Sequence, residues 1–120
     1  MNEKVLLIDD DKELSGEISE ILESEGYSVQ AAFDGDQGER FIRKSRYDII
    51  LIDFKLPGMT GVDLLKKVKG LKLSSRIYFI SGRPFLEKFV KEEGLSKIVS
   101  GCLTKPFDVK KFLEKIKIPR

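Results

Sequence analysis

The chain of 120 residues contains no histidine and a single cysteine, Cys102. One cysteine forms neither an intramolecular disulfide nor a cysteine metal site, which is typical of a reducing, cytosolic setting. Histidine is the usual general base and a common phosphoryl carrier in proteins. Because the chain has none, a phosphoryl group that reaches this protein must come from another molecule.

Long hydrophobic runs are also missing from the sequence. The amino terminus passes through only four apolar residues, 5–8, before it reaches three aspartates. Neither a signal peptide nor a membrane span is therefore expected, and we expect a cytoplasmic protein. There is no low-complexity stretch and no internal linker, and the length suits one buried core. The sequence thus predicts a single domain over residues 1–120.

Charge is distributed unevenly although the net charge is only +2. Residues 1–46 carry six Lys/Arg against twelve Asp/Glu, whereas residues 83–120 carry ten against five. We interpret the basic part as a solvated face of the last helices, and the alternative is a patch that docks an acidic partner. The basic residues form no recognition motif, so direct binding of nucleic acid is not expected.

Short apolar runs alternate with segments of helical periodicity. The predicted strands are 4–8, 27–32, 49–52, 76–80 and a last strand that contains the weaker apolar run 101–104 and ends at Lys105. We expect the first two helices to begin at caps Asp11 and Asp34, the fourth to run from Pro84 to about Gly94, and Asp108 to cap the fifth. Gly35 and Gly38 are expected to weaken the start of the second helix.

This alternation predicts a doubly wound α/β fold, with five parallel strands in the order 2-1-3-4-5. Four polar residues follow strands directly: Asp10, Asp53, Ser81 and Lys105. Parallel strands would bring them to one edge of the sheet, where open α/β sheets bind their ligands. Acids from two strands, a hydroxyl and a lysine together suggest a divalent-metal site that handles a phosphoryl group.

Four segments occur in an order and spacing that are highly specific together. They are the acid pair in Leu7–Asp11, the aspartate with its Leu-Pro-Gly loop in Asp48–Gly61, Ser81-Gly82, and the Lys-Pro-Phe of Leu103–Phe107. Over essentially its whole length the chain resembles the receiver domain of bacterial two-component response regulators. The resemblance implies the flavodoxin-like (βα)5 fold of that family.

By this resemblance, Asp53 is the phosphoacceptor and takes a phosphoryl group from the phosphohistidine of a sensor histidine kinase or phosphotransfer protein. Asp10 and Asp53 would bind Mg²⁺ directly, Asp9 would act through water, and the backbone carbonyl of Lys55 would add a ligand. The last two roles are at the phosphoryl oxygens: Ser81 would donate a hydrogen bond to one and Lys105 would neutralise another.

The resemblance also implies a switch. In the family, a Ser or Thr (here Ser81) moves toward the phosphate, and a Tyr or Phe three residues before the lysine swings inward. Here that position is Cys102, too small to act in the same way. The ring of Phe85 or Phe89 is a candidate substitute. The output surface would comprise the fourth helix, fifth strand and fifth helix, which bind an effector or a second copy in a homodimer.

Two cationic side chains, Lys55 and Arg83, each follow a site residue by two positions. They either shield the phosphoryl group from water and prolong the acyl phosphate, bind an auxiliary phosphatase, or point to solvent. The leading interpretation is a signalling switch that catalyses only its own phosphorylation and dephosphorylation. One alternative is a degenerate receiver that acts as an interaction or dimerisation domain. Cys102 mildly favours it, whereas the intact acid pair, Asp53 and Lys105 argue against it. Another is an aspartyl-nucleophile phosphatase, but that class needs an acid where Lys55 stands.

Overall fold

Five short apolar segments form one parallel sheet in the computed structural model, which describes residues 3–82, 86–105 and 109–117. The strands are β1 (Lys4–Ile8), β2 (Ser28–Ala32), β3 (Ile49–Asp53), β4 (Arg76–Ser81) and β5 (Gly101–Thr104). Their order in the sheet is β2-β1-β3-β4-β5, and every neighbouring pair is parallel. The predicted fold class and strand order are therefore confirmed.

Helices cover both faces of this sheet. They are α1 (Lys12–Ser24), α2 (Gly35–Lys44), α3 (Gly61–Val68), α4 (Leu86–Glu92) and α5 (Val109–Lys117), and a 3-10 turn at Lys69–Leu71 follows α3. Side chains of α1 and α5 pack on one face, and side chains of α2, α3 and α4 pack on the other. No helix in the described part of the chain has the length and hydrophobicity to span a bilayer.

The first four residues of the central strand β3 are apolar, and alternate side chains among them enter different cores. Ile50 and Ile52 pack with α2, α3 and α4, whereas Ile49 and Leu51 pack with α1 and α5. All four side chains are at most 1% exposed. A continuous apolar run is the expected signature of a parallel strand that is covered on both sides.

Two predicted helix caps are confirmed. Asp11 accepts a hydrogen bond from the backbone N–H of Leu14 at 3.0 Å, and Asp34 accepts one from Gln37 at 2.8 Å. Each carboxylate satisfies a backbone donor that the first helical turn leaves unpaired. The predicted first residue of the fourth helix, Pro84, and the predicted cap of the fifth, Asp108, lie outside the described residues.

Strand ends differ from the prediction by single residues. Tyr27 precedes β2, while β3 and β4 extend through Asp53 and Ser81. The last strand ends at Thr104, one residue before the predicted end, although the backbone N–H of Lys105 still donates to the Ser81 carbonyl at 2.8 Å. The sheet pairing therefore reaches into the polar residues at its carboxyl edge.

The expectation that Gly35 and Gly38 weaken the start of α2 stays a prediction; the helix begins at Gly35, directly after Asp34. Both glycines are buried against neighbouring side chains. A Cβ atom on Gly38 would lie 2.7 Å from Cδ1 of Ile8, and one on Gly35 would overlap Met59. The glycines let α2 approach the sheet more closely than residues with side chains would allow.

Candidate functional site

The carboxyl edge of the sheet brings the predicted site residues together. Register pairs place Ile8 beside Ile52, and Ser81 beside Thr104, so the strands end at similar heights. A cavity of about 880 Å³ opens there. The predicted residues that line it are Asp10, Asp53, Lys55, Ser81 and Lys105. Arg83 lies outside the described residues.

Three carboxylates converge at one end of this cavity. Asp9, Asp10 and Asp53 each offer a carboxylate oxygen, and these oxygens lie within 4.8 Å of one another. Asp9 is completely buried and Asp53 is 7% exposed, whereas Asp10 faces solvent. The backbone N–H of Asp11 donates to Oδ1 of Asp9 at 2.9 Å, which orients the buried carboxylate.

One lysine lies between the two buried acids. Nζ of Lys105 is 3.4 Å from Oδ2 of Asp9 and 3.5 Å from Oδ2 of Asp53. The other oxygen of Asp53, Oδ1, accepts a hydrogen bond from the backbone N–H of Lys55 at 3.3 Å. Both oxygens of Asp53 thus have a defined partner, and the carboxylate is held at the floor of the cavity.

Burial first, and then the negative charge of Asp9, together raise the pKa of Asp53 from its ordinary 3.8 to about 6. The ammonium group of Lys105 and the N–H of Lys55 act against this rise without cancelling it. The cluster therefore has more negative charge than its lysine compensates. Carboxylate oxygens are ligands that Mg²⁺ prefers, so the donor set fits a divalent cation.

The loop after β3 shapes the mouth of the cavity. The two-residue strands Lys55–Leu56 and Met59–Thr60 form an antiparallel ladder, with Gly58 turning the chain at φ 75°. Thr60 and Asp63 then cap α3 reciprocally, at 3.0 and 3.1 Å. Thr60 also lines the cavity and was missed as a site residue. Its spacing from Asp63 is the sequence signature of a capping box, which could have located it.

Aromatic side chains connect the site to α4. Phe54 directly follows Asp53, and its ring lies edge-on to Phe79 at 6.3 Å and to Phe89 at 5.5 Å. Phe89 is 36% exposed and so extends this contact to the surface. Cys102 is buried in the same core and pairs with Phe79 in the sheet register. The other candidate ring, Phe85, lies outside the described residues.

Comparison with known proteins agrees with this geometry. Residues 5–117 match the family described as the response regulator receiver domain. The chain therefore belongs to the response regulator receiver family, a class of signalling domains.

Three relatives illustrate the similarity. The transcriptional regulatory protein DltR of Streptococcus agalactiae is 33% identical over 96% of this chain and 50% of its own length. Sporulation initiation phosphotransferase F of Bacillus subtilis is 30% identical over 98% of this chain and 93% of its own. A CheY-like receiver domain from Methanospirillum hungatei superimposes with a TM-score of 0.87, at 31% identity over 98% of this chain and 92% of its own. The chain spans about half the length of several curated relatives it matches.

Proposed function

We propose that residues 1–120 act as one cytoplasmic receiver domain of a bacterial two-component system, in which Asp53 is the Mg²⁺-dependent phosphoacceptor. The observation that carries the proposal is the convergence of three carboxylates within 4.8 Å, with Nζ of Lys105 only 3.5 Å from Asp53. The phosphoryl donor is the phosphohistidine of a sensor histidine kinase or phosphotransfer protein. Family membership and the name of the phosphotransferase relative support this assignment.

In the proposed reaction, an oxygen of Asp53 forms a bond to phosphorus as the bond between phosphorus and the donor imidazole nitrogen breaks. The electron pair of that bond stays with the imidazole, and Asp53 becomes an acyl phosphate. Phosphoryl transfer has a loose transition state with spread charge, so positioning and electrostatics provide most of the catalysis. Mg²⁺, when bound, supplies positive charge beside the carboxylates and the phosphoryl oxygens.

The residues of this chain account for the remaining requirements. The N–H of Lys55 and the ammonium of Lys105 orient the two oxygens of Asp53 before transfer. We assign Asp10 and Asp53 as direct metal ligands, Asp9 as a ligand through water and the Lys55 carbonyl as a backbone ligand. Lys105 then neutralises a phosphoryl oxygen, and the hydroxyl of Ser81, at the wall of the same cavity, donates to another.

The position of Lys55 favours a switch over a turnover enzyme. An aspartyl phosphatase needs a general acid two residues after its nucleophile, and a lysine side chain stands there. We therefore propose that the domain catalyses only its own phosphorylation and dephosphorylation. Lys55 and Arg83 are proposed to prolong the phosphorylated state by covering the phosphoryl group, since the Lys55 side chain is exposed at the cavity mouth.

Transmission of the phosphorylated state is proposed to run through Phe54 to Phe89. Cys102 has no ring to swing, whereas Phe54 adjoins the phosphoacceptor and contacts a ring that reaches the surface of α4. Movement at Ser81 and Asp53 would change this contact and hence the surface of α4, β5 and α5. An effector protein or domain, or a second copy of the chain, would read that surface.

The intact mass of the protein after incubation with Mg²⁺ and acetyl phosphate tests the phosphoacceptor. We expect one added phosphoryl group that hydroxylamine removes, that EDTA prevents and that Asp53→Asn abolishes. Asp36→Asn, an exposed acid in the first turn of α2, serves as the matched control and should be phosphorylated normally. If neither phosphorylation nor a beryllofluoride complex forms, the chain is a degenerate receiver that acts as an interaction domain.

A further inference from the structure

A second cavity lies at the opposite edge of the sheet. It is formed by the end of α2 with the segment that leads into β3, and by the segment 71–75 that leads into β4. Its volume is about 580 Å³, within the range of small-molecule sites. Strands of five or six residues separate it from the carboxylate cluster by roughly 15 Å, so it is distinct from the phosphoacceptor site.

Positive charge dominates this cavity. Four of its lining residues are cationic, namely Arg43, Lys44, Arg46 and Lys72, and none is acidic. The chain supplies no acid between Arg40 and Tyr47, nor between Lys66 and Arg76. The two segments that form the walls of the cavity, 42–47 and 71–75, are therefore both cationic, although residues 1–46 as a whole are acidic.

Three of these four cations are free to meet a ligand. Arg43 is paired with Glu39 at 2.9 Å. Lys44, Arg46 and Lys72 are exposed and form no ion pair with any carboxylate among the described side chains of 3–82, 88–105 and 111–116. Unpaired cations around a concave surface raise the local concentration of anions.

The floor of the cavity is apolar and its walls are joined. Ile42, Tyr47 and Ile50 are buried beneath it, and Leu71, 43% exposed, forms part of its wall. The hydroxyl of Ser75 donates to the carbonyl of Tyr47 at 2.6 Å, which holds the two walls together. An apolar floor with a cationic rim suits a ligand that combines a planar or apolar body with a phosphate.

We propose that this cavity binds a small phosphorylated ligand of the nucleotide class, with the phosphate between Arg46 and Lys72 and the body against Leu71. The charge complementarity of the rim and the size of the cavity carry the proposal. Guanidinium and ammonium groups are the usual protein partners of phosphate. Because the site is remote from Asp53, its occupation does not require the proposed phosphoacceptor function.

Amide NMR spectra in EDTA at low salt test the proposal with AMP and inorganic pyrophosphate as probes. We expect saturable shifts in 43–47 and 71–75, with 9–10 and 53–55 unmoved, and weaker binding as salt rises. Arg46→Ala/Lys72→Ala should raise the Kd for AMP at least about tenfold. Lys88→Ala/Lys97→Ala removes two exposed charges elsewhere and should leave the Kd unchanged.

Further variants and probes distinguish the contacts of the apolar body from those of the phosphate, and a nucleotide from other possible ligands. Leu71→Ser should weaken AMP but not pyrophosphate if the body contacts the apolar wall. Absence of saturation up to millimolar AMP, or equal affinity in the Arg46→Ala/Lys72→Ala variant, overturns the proposal. Binding of a single-stranded oligonucleotide at Arg46 and Lys72, without binding of AMP, would also overturn the proposal, because the surface would then be a nucleic-acid site. A circular dichroism spectrum and melting temperature that match those of the unmodified chain verify the fold of the double variant.

Discussion

Gly61 lies against the backbone of Asp53 so closely that a Cβ atom on it would be 2.9 Å from the Asp53 carbonyl oxygen. The same atom would also be 2.9 Å from Cε1 of Phe79. Gly61 itself donates its N–H to the carbonyl of Phe54 at 2.6 Å. The first residue of α3 is thus part of the support for the proposed phosphoacceptor, although it does not line the cavity.

Gly61→Ala should therefore disturb the site by overpacking. We expect a loss of about 1–3 kcal/mol in the free energy of unfolding and slower phosphorylation by acetyl phosphate. Gly16→Ala is the control, since a Cβ on Gly16, inside α1, meets nothing within 4 Å. It should stabilise the protein by about 0.5–1 kcal/mol with the phosphorylation rate unchanged. Equal rates for both variants would show that Gly61 does not support Asp53.

Mg²⁺ should stabilise the folded protein because only the folded chain assembles the three carboxylates. At a hundredfold excess over Kd, the gain is about 2.7 kcal/mol, seen as a rise in melting temperature. Asp10→Asn should lose most of this rise, whereas Asp36→Asn should keep it. A melting temperature that does not respond to millimolar Mg²⁺ in the unmodified chain would contradict the metal site.

The raised pKa of Asp53 gives a pH dependence in the metal-free protein. In the folded state the Asp53 carboxyl group keeps its proton up to about pH 6, whereas in the unfolded state it loses the proton near pH 3.8. The contribution of Asp53 to the free energy of unfolding therefore falls as the pH rises between these values. In EDTA at pH 7, Asp53→Asn should therefore stabilise the protein by about 1–3 kcal/mol. Urea unfolding of both proteins should show this advantage shrinking toward pH 4, and an advantage that is the same at both pH values would refute it.

Phe89→Ala tests the aromatic contact between the site and α4. Phosphorylation of Asp53 should proceed normally, because Phe89 does not line the cavity. The amide shifts that beryllofluoride causes in 88–92 should become smaller, since the contact with the ring of Phe54 is lost. Leu71→Ala removes another exposed apolar side chain and should leave these shifts intact. Unchanged shifts in Phe89→Ala would mean that the signal takes another route.

Local signals in the sequence were sufficient to predict much of the architecture. The all-apolar run at Ile49–Ile52 and the caps Asp11 and Asp34 act over a few residues, so one buried strand and two helix starts were predictable. The strand order followed from the general topology of doubly wound parallel sheets. Because parallel strands of similar length end at one edge, the approach of Asp53 to Lys105 also followed from the strand positions. Single-residue differences at the strand ends arise from sheet pairing, which depends on neighbouring strands.

Other features depended on which distant segments meet. A glycine in a sequence shows conformational freedom but not its neighbours, so the close packing of Gly38 on Ile8 was not predicted. The basic cavity joins 42–47 to 71–75, and a charge count along the chain does not detect such a pairing. By itself the sequence determined the α/β alternation and the residues at the strand ends, because hydrophobic periodicity and turn chemistry are local. The tertiary structure alone decided the burial of Asp9 and Asp53, the raised pKa and the second cavity, because burial and electrostatic fields arise from residues far apart in the chain.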